Sequence, residues 1–205
     1  MNFSIFRNDV LTKGAILGCV MVALNIAKSS LFYYGGMSWA LVLLLVILCA
    51  LALYIYLAYR FTRNYAGLVV SERQQAPYFT YGEGLLYWVN VSMLAGVVVG
   101  CGEYVFMHYI IGYENFVANY IKLFQDALSQ VKLTSQDINM LNELFTELQK
   151  AEEPSILSNI FGTVWTYLMS GTLVGLVIAA FTKREPMIGG ADNSNDNEKE
   201  PSDEQ

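Results

Sequence analysis

The sequence predicts an all-α integral membrane protein with four transmembrane helices and an extracytoplasmic helical hairpin between the third and fourth. Of its 205 residues, 55% are hydrophobic and 15% are charged, a more apolar composition than soluble domains have. Uncharged stretches cover residues 14–27, 38–59, 84–102 and 155–182. Because a hydrocarbon layer of about 30 Å needs about 20 apolar helical residues, these stretches predict four spans.

The first span is predicted over residues 14–34, after an N-terminal segment 1–13. It reaches full length only if the helix continues past Lys28, which the long lysine side chain permits because its ammonium can reach the interface. A cleaved leader is the alternative for this stretch. Since no small-x-small cleavage pattern follows, we expect a retained span.

The second span is predicted over 37–59, a basic loop over 60–79, and the third span over 80–110. Thr80 and Glu83 have the spacing of a capping box, in which each side chain accepts a hydrogen bond from the other residue's backbone N–H. We therefore interpret Glu83 as a structural cap and not as a catalytic acid.

The segment 111–155 is polar and acidic, and its apolar residues recur every three or four positions in two sets. This spacing predicts two amphipathic helices that form the hairpin. The fourth span follows over 156–182. The acidic tail at 183–205 holds almost no apolar residue beyond its start, so we expect it to be disordered.

Orientation follows from the lysines and arginines close to the spans, because cytoplasmic loops hold the excess of these residues. In a four-span layout the following bases share one side: Arg7, Lys13, Arg60, Arg63, Arg73, Lys183 and Arg184. The sequence therefore predicts that both termini are cytoplasmic and that the hairpin lies on the opposite side.

Three of the predicted spans carry a Gly-x-x-x-Gly pair. The pairs are Gly14 and Gly18, Gly96 and Gly100, and Gly171 and Gly175. Glycine lets two helix backbones approach closely in lipid, where apolar contact alone gives little preference for another helix. We expect spans one, three and four to pack together, and self-association is the competing use of these glycines.

Polar residues continue two of these glycine faces. On the first span Asn25 and Lys28 extend the glycine stripe, and on the third span Glu103 does so. An isolated charge at the bilayer centre costs about 2.5 to 3.5 kcal/mol, so we hypothesise a Lys28–Glu103 ion pair. It could fix the helix register, or it could belong to an ion or proton relay that also includes Asn25 and His108.

The sequence lacks the motifs of known catalytic and cofactor sites. It contains no His-Glu-x-x-His, Gly-x-Ser-x-Gly, phosphate loop or dinucleotide fingerprint, and its three cysteines have no metal-ligand spacing. We therefore predict no enzyme activity, no metal and no cofactor. The net charge of −6 does not suit nucleic acid. The expected partners are the lipid bilayer and, as alternatives, other membrane proteins or a second copy.

Two stretches resemble the domain-of-unknown-function family 4199. They are Tyr-Phe-Thr-Tyr-Gly-Glu-Gly at 78–84, before the third span, and Gly-Thr-Leu-Val-Gly-Leu-Val-Ile-Ala-Ala-Phe-Thr-Lys-Arg at 171–184. The resemblance covers residues 5 to 185 and implies a bacterial inner-membrane protein with four-helix topology. It supplies no catalytic residue or substrate.

Two functions remain open from the sequence. The first is a noncatalytic accessory or interaction subunit whose hairpin is the outer contact surface. The alternative is a small transporter or channel that uses Lys28, Glu103 and His108. Transport needs a hydrated path past Glu103, whereas an accessory subunit tolerates a dry, packed core.

Overall fold

The computed structural model describes residues 3–35, 40–73, 78–128, 135–150 and 153–184, and this part of the chain is almost entirely helical. Its α-helices are α1 (Phe3–Gly35), α2 (Ala40–Glu72), α3 (Tyr81–Val105), α4 (Tyr113–Leu128), α5 (Ser135–Lys150) and α6 (Ile156–Thr182). Four of them, α1, α2, α3 and α6, are long and apolar enough to cross a membrane. The predicted all-α fold with four candidate spans is confirmed. The predicted tail beyond residue 184 lies outside the described residues.

Two helices extend beyond the predicted spans. α1 begins at Phe3, and α2 continues to Glu72, so Arg60 and Arg63 lie on a helix where we predicted a loop. The reason is an amphipathic period that the charges obscured. Buried side chains recur through this half of α2 at Tyr54, Ala58, Phe61, Thr62, Tyr65, Ala66 and Val69. The segment therefore packs on the bundle as helix.

α3 is the centre of the bundle. It packs along α6 on one side and along α1 on the other, while α2 contacts α1, α6 and, less extensively, α3. Its inward face is fully buried and consists of Tyr87, Trp88, Val91, Ser92, Ala95 and Val99. α1 and α6 thus flank α3, and the second half of α2 covers the space between them.

The first half of α2 stands away from this bundle. None of the residues 41 to 53, all of which the structure describes, is buried. Leu41, Leu45 and Leu48 are more than half exposed. This half of α2 therefore leaves apolar side chains exposed on nearly all sides.

One end of the bundle, here called the tail end, is closed by contacts among three helices. The backbones of Phe79 and Arg184 exchange two hydrogen bonds of 3.0 and 2.9 Å, which connect the start of α3 to the end of α6. Arg73, just after α2, forms an ion pair with Glu83 and donates to the Tyr78 carbonyl oxygen at 3.0 Å. Its hydrogen bond to Glu83 raises the pKa of Arg73.

The start of α3 has a complete capping box. The Glu83 backbone N–H donates to the Thr80 hydroxyl, and the Thr80 backbone N–H donates to the Glu83 carboxylate at 3.0 Å. Glu83 therefore combines the capping interaction with the ion pair to Arg73. Both interactions fix the place where α3 begins.

The opposite end, here called the hairpin end, carries α4 and α5. A π-helical turn (Phe106–Ile111) continues α3, and Gly112 follows with a φ of 84°, a conformation that favours glycine. This position lets the chain turn directly into α4. The Asn119 side chain donates to the Tyr33 carbonyl oxygen at 2.7 Å, so α4 is attached to the end of α1.

Candidate functional site

The glycine pairs lie where helices of the same chain cross. A Cβ added at Gly18 would lie 2.6 Å from Val98 Cβ, and one at Gly171 would lie 2.5 Å from Ser92 Cβ. The other four glycines, Gly14, Gly96, Gly100 and Gly175, have neighbouring atoms at 2.7, 3.0, 2.9 and 3.0 Å. The glycine faces are therefore used by α1, α3 and α6 to approach one another. Gly102, which we did not single out, packs in the same way against Val22.

A polar groove of about 470 Å³ opens near the hairpin end, between α1, α3 and α6. Its lining is Asn25, Lys28, Glu103, Pro154, Ser158, Asn159, Gly162, Thr163, Thr166 and Tyr167. Gly100 and Gly102, which pack closely against α6 and α1, directly precede Glu103 on α3. Asn25, Lys28 and Glu103 are thus brought to one site.

Lys28 and Glu103 share this groove without forming a direct ion pair. The Lys28 ammonium donates a hydrogen bond of 3.1 Å to the side-chain oxygen of Asn25. The Glu103 carboxylate is within electrostatic range of Lys28 and lies beside the Thr163 hydroxyl. That hydroxyl donates to the Asn159 carbonyl oxygen at 2.9 Å. The groove therefore holds one positive and one negative group, each half-buried and separated from the other.

The groove ends on packed side chains. Val99 lies one turn of α3 below Glu103 and is fully buried, as are Ala95 and Leu17. Further toward the tail end, the Tyr54 and Ser92 hydroxyls are hydrogen-bonded to each other at 3.1 Å. This polar groove is thus confined to the hairpin half of the bundle.

His108 takes part in a different site. Its Nε2 lies 2.8 Å from the Glu153 carboxylate, and its ring stacks on Tyr104 with the ring centroids 3.7 Å apart. His108 Nδ1 is buried without a hydrogen-bond partner. His108 is not among the groove residues and lies on the π turn that continues α3 beyond Glu103.

Glu153 was not identified from the sequence as a partner of His108. It directly precedes Pro154, which starts the return of the chain into α6, and it also lines a cleft of about 650 Å³ beneath the hairpin. In the sequence, Glu152, Glu153 and Pro154 mark the end of the hairpin. Nothing in that pattern, however, indicates which residue of α3 lies opposite.

Within the described part of the chain, the structure contains no group of three histidine, cysteine or acidic side chains that could hold a metal ion. Cys19 and Cys49 are exposed on the apolar surface, and Cys101 is half-buried. The chemistry that the groove offers is therefore the recognition of charge and hydrogen-bonding groups by Lys28, Glu103 and the polar residues around them.

Comparison with known families gives one result. A family model described as "Protein of unknown function (DUF4199)" matches residues 12–184, most of the chain. The matched region includes all six α-helices apart from the first residues of α1. No curated protein and no solved structure matches significantly.

Proposed function

The chain belongs to the DUF4199 family of proteins of unknown function, and we propose that it is a noncatalytic multi-pass membrane protein that acts by binding another membrane component. The observation that carries this proposal is the groove between α1, α3 and α6. It places a lysine and a glutamate, unpaired with each other, inside segments that are long and apolar enough to span a bilayer. Charges in such a position are costly unless a partner compensates them.

Photocrosslinking from the groove tests this function. We expect benzoylphenylalanine at Thr166, which lines the groove, to capture one chemical class of molecule in native membranes. The neighbouring Trp165, 61% exposed and outside the lining, is the matched control position. Lys28→Met combined with Glu103→Gln should abolish the Thr166 adduct. Identical adducts at both positions, or an adduct that survives the double substitution, would refute a binding groove.

The hairpin offers a second surface for an accessory role. Met140, Leu144 and Leu148 form an exposed apolar strip along α5, whose most extensive contacts are with α4. Such a strip fits a partner protein or the lipid surface. Benzoylphenylalanine at Leu144 distinguishes them, because a protein adduct supports the accessory subunit and lipid adducts alone oppose it.

The transporter or channel alternative requires that the groove continue through the bundle. The fully buried Leu17, Ala95 and Val99 beneath the groove favour binding over conduction. Reconstituted vesicles containing a pH-sensitive dye provide the test. Proton flux that depends on Glu103 would favour the transporter.

We further propose that both termini lie in the cytoplasm of a bacterium and that the hairpin faces the outside of the inner membrane. The basic residues near the tail end support this orientation. Alkaline phosphatase, which is active only outside the cytoplasm, should be active when fused after Lys122 in α4 and inactive when fused after Lys183. The reverse pattern would invert the topology.

A further inference from the structure

The groove contains one positive and one negative side chain, so a ligand with both a negative and a positive group would complement it. Lys28 makes its hydrogen bond to the uncharged Asn25, and the polar neighbour of Glu103 is the uncharged Thr163 hydroxyl. A purely anionic ligand would neutralise Lys28 and leave a second negative charge near Glu103. A purely cationic ligand would do the reverse. A zwitterion compensates both groups at once.

The first half of α2 lies at the level of the groove and leaves apolar side chains exposed. Tyr54 of α2 contacts Ser92, and Glu103 lies about three turns beyond Ser92 toward the hairpin end. The part of α2 at the level of the groove is therefore the half that precedes Tyr54. That half contributes no residue to the groove lining and has no buried residue between 41 and 53. An apolar chain could lie along it while a polar group enters the groove.

We propose that the groove binds the headgroup of a zwitterionic phospholipid, with the phosphate toward Lys28 and the ammonium toward Glu103. Asn25 holds the Lys28 ammonium on its side of the groove through the 3.1 Å hydrogen bond. The acyl chains lie against the first half of α2, where Leu44, Leu48 and Leu51 are exposed. This inference rests on the proposed binding function and names the class of ligand.

Native mass spectrometry of the full chain in detergent provides the test, with phosphatidylethanolamine, phosphatidylglycerol and free phosphoethanolamine as probes. We expect the wild-type protein to bind phosphatidylethanolamine about tenfold more tightly than phosphatidylglycerol, since only the former has an ammonium for Glu103. Free phosphoethanolamine should not displace the lipid at equal concentration. Effective displacement by it would mean that the ligand is a soluble zwitterion and would overturn the lipid assignment.

Two single substitutions separate ligand recognition from a structural role. Glu103→Gln should weaken phosphatidylethanolamine binding about tenfold and leave phosphatidylglycerol unchanged, so that the preference disappears. Lys28→Met should weaken both lipids, because both carry the phosphate. Lys122→Met and Glu143→Gln, on exposed positions of the hairpin, are the controls and should change neither.

Equal binding of the two lipids by the wild-type protein, or a preference that survives Glu103→Gln, would refute the zwitterion. Thermal unfolding of each variant in the same detergent identifies any that is misfolded, and Asn25→Ala then gives a second way to perturb Lys28. If neither lipid binds as expected while the Thr166 crosslink still depends on Lys28 and Glu103, the groove binds another component and the proposed function stands. If neither the lipid preference nor the Thr166 crosslink depends on Lys28 and Glu103, the proposed function is refuted as well.

Discussion

Gly171→Ala should destabilise the bundle more than any other single-methyl addition at a glycine. The new Cβ would lie 2.5 Å from Ser92 Cβ and 2.6 Å from its hydroxyl oxygen, and Ser92 is fully buried on α3. The hydroxyl can rotate, but the Cβ is fixed by the α3 backbone, so α6 must move away from α3. Overpacking of this kind costs about 1 to 3 kcal/mol. The free energy of unfolding can be measured by SDS titration in mixed micelles.

Gly162→Ala is the matched control for this substitution. Gly162 lies on the same helix, and a Cβ there would meet nothing within 4 Å. Alanine gains up to about 1 kcal/mol over glycine in a helix, and this gain applies at both positions. The difference between the two variants therefore isolates the packing term.

A second substitution, at Ser92, tests whether the loss in Gly171→Ala comes from contact with that residue. Ser92→Gly removes both atoms that the new methyl group would strike, so Gly171→Ala should cost less in the Ser92→Gly background than in the wild type. Purely additive effects would show that the two residues do not interact. They would also contradict the close crossing of α3 and α6.

The four-helix architecture could be predicted because lipid imposes a simple rule on the chain. Long uncharged stretches must form helices in a bilayer, and their length and position are visible in the sequence. The glycine spacing further indicated which spans could approach closely. These are local signals, since each depends on residues within one helix.

The details of the site depend on contacts between helices, which leave no local signal. Lys28 and Glu103 lie on compatible faces at similar depth, and the sequence therefore indicated a direct ion pair. In the structure Lys28 donates to Asn25 instead, and the two charges line one groove without forming an ion pair. The partner of His108 also depends on how the hairpin returns the chain to α3.

In the second half of α2 the basic residues led to a wrong prediction of a loop. Arg60 and Arg63 were interpreted as part of a loop, yet both sit on the exposed side of a helix and donate to Tyr56 and Tyr59 one turn earlier. Amphipathic helices at a membrane surface carry bases on one face and apolar residues on the other. The buried period of α2 was visible in sequence and would have predicted the helix.

Trp88→Ala should produce the largest loss of stability among single substitutions in the core. Trp88 is fully buried on α3, where it packs edge-on against Tyr54 at 5.5 Å and lies against Gly175 of α6. Truncating a buried tryptophan costs about 3 to 5 kcal/mol in soluble cores. In a bilayer the unfolded reference is already in lipid, so the loss comes mainly from the cavity and the missing contacts, and we expect about 3 kcal/mol.

Two further tryptophan variants test this explanation by the same SDS titration. Trp165→Ala removes the same side chain from an exposed position on α6 and should change stability by less than about 0.5 kcal/mol. Trp88→Phe should cost much less than alanine, because phenylalanine keeps most of the buried ring and removes an Nε1–H that has no hydrogen-bond partner. A Trp88→Ala loss no larger than that of Trp165→Ala would mean that lipid replaces the missing contacts, and that the tight packing around α3 does not hold the four helices together.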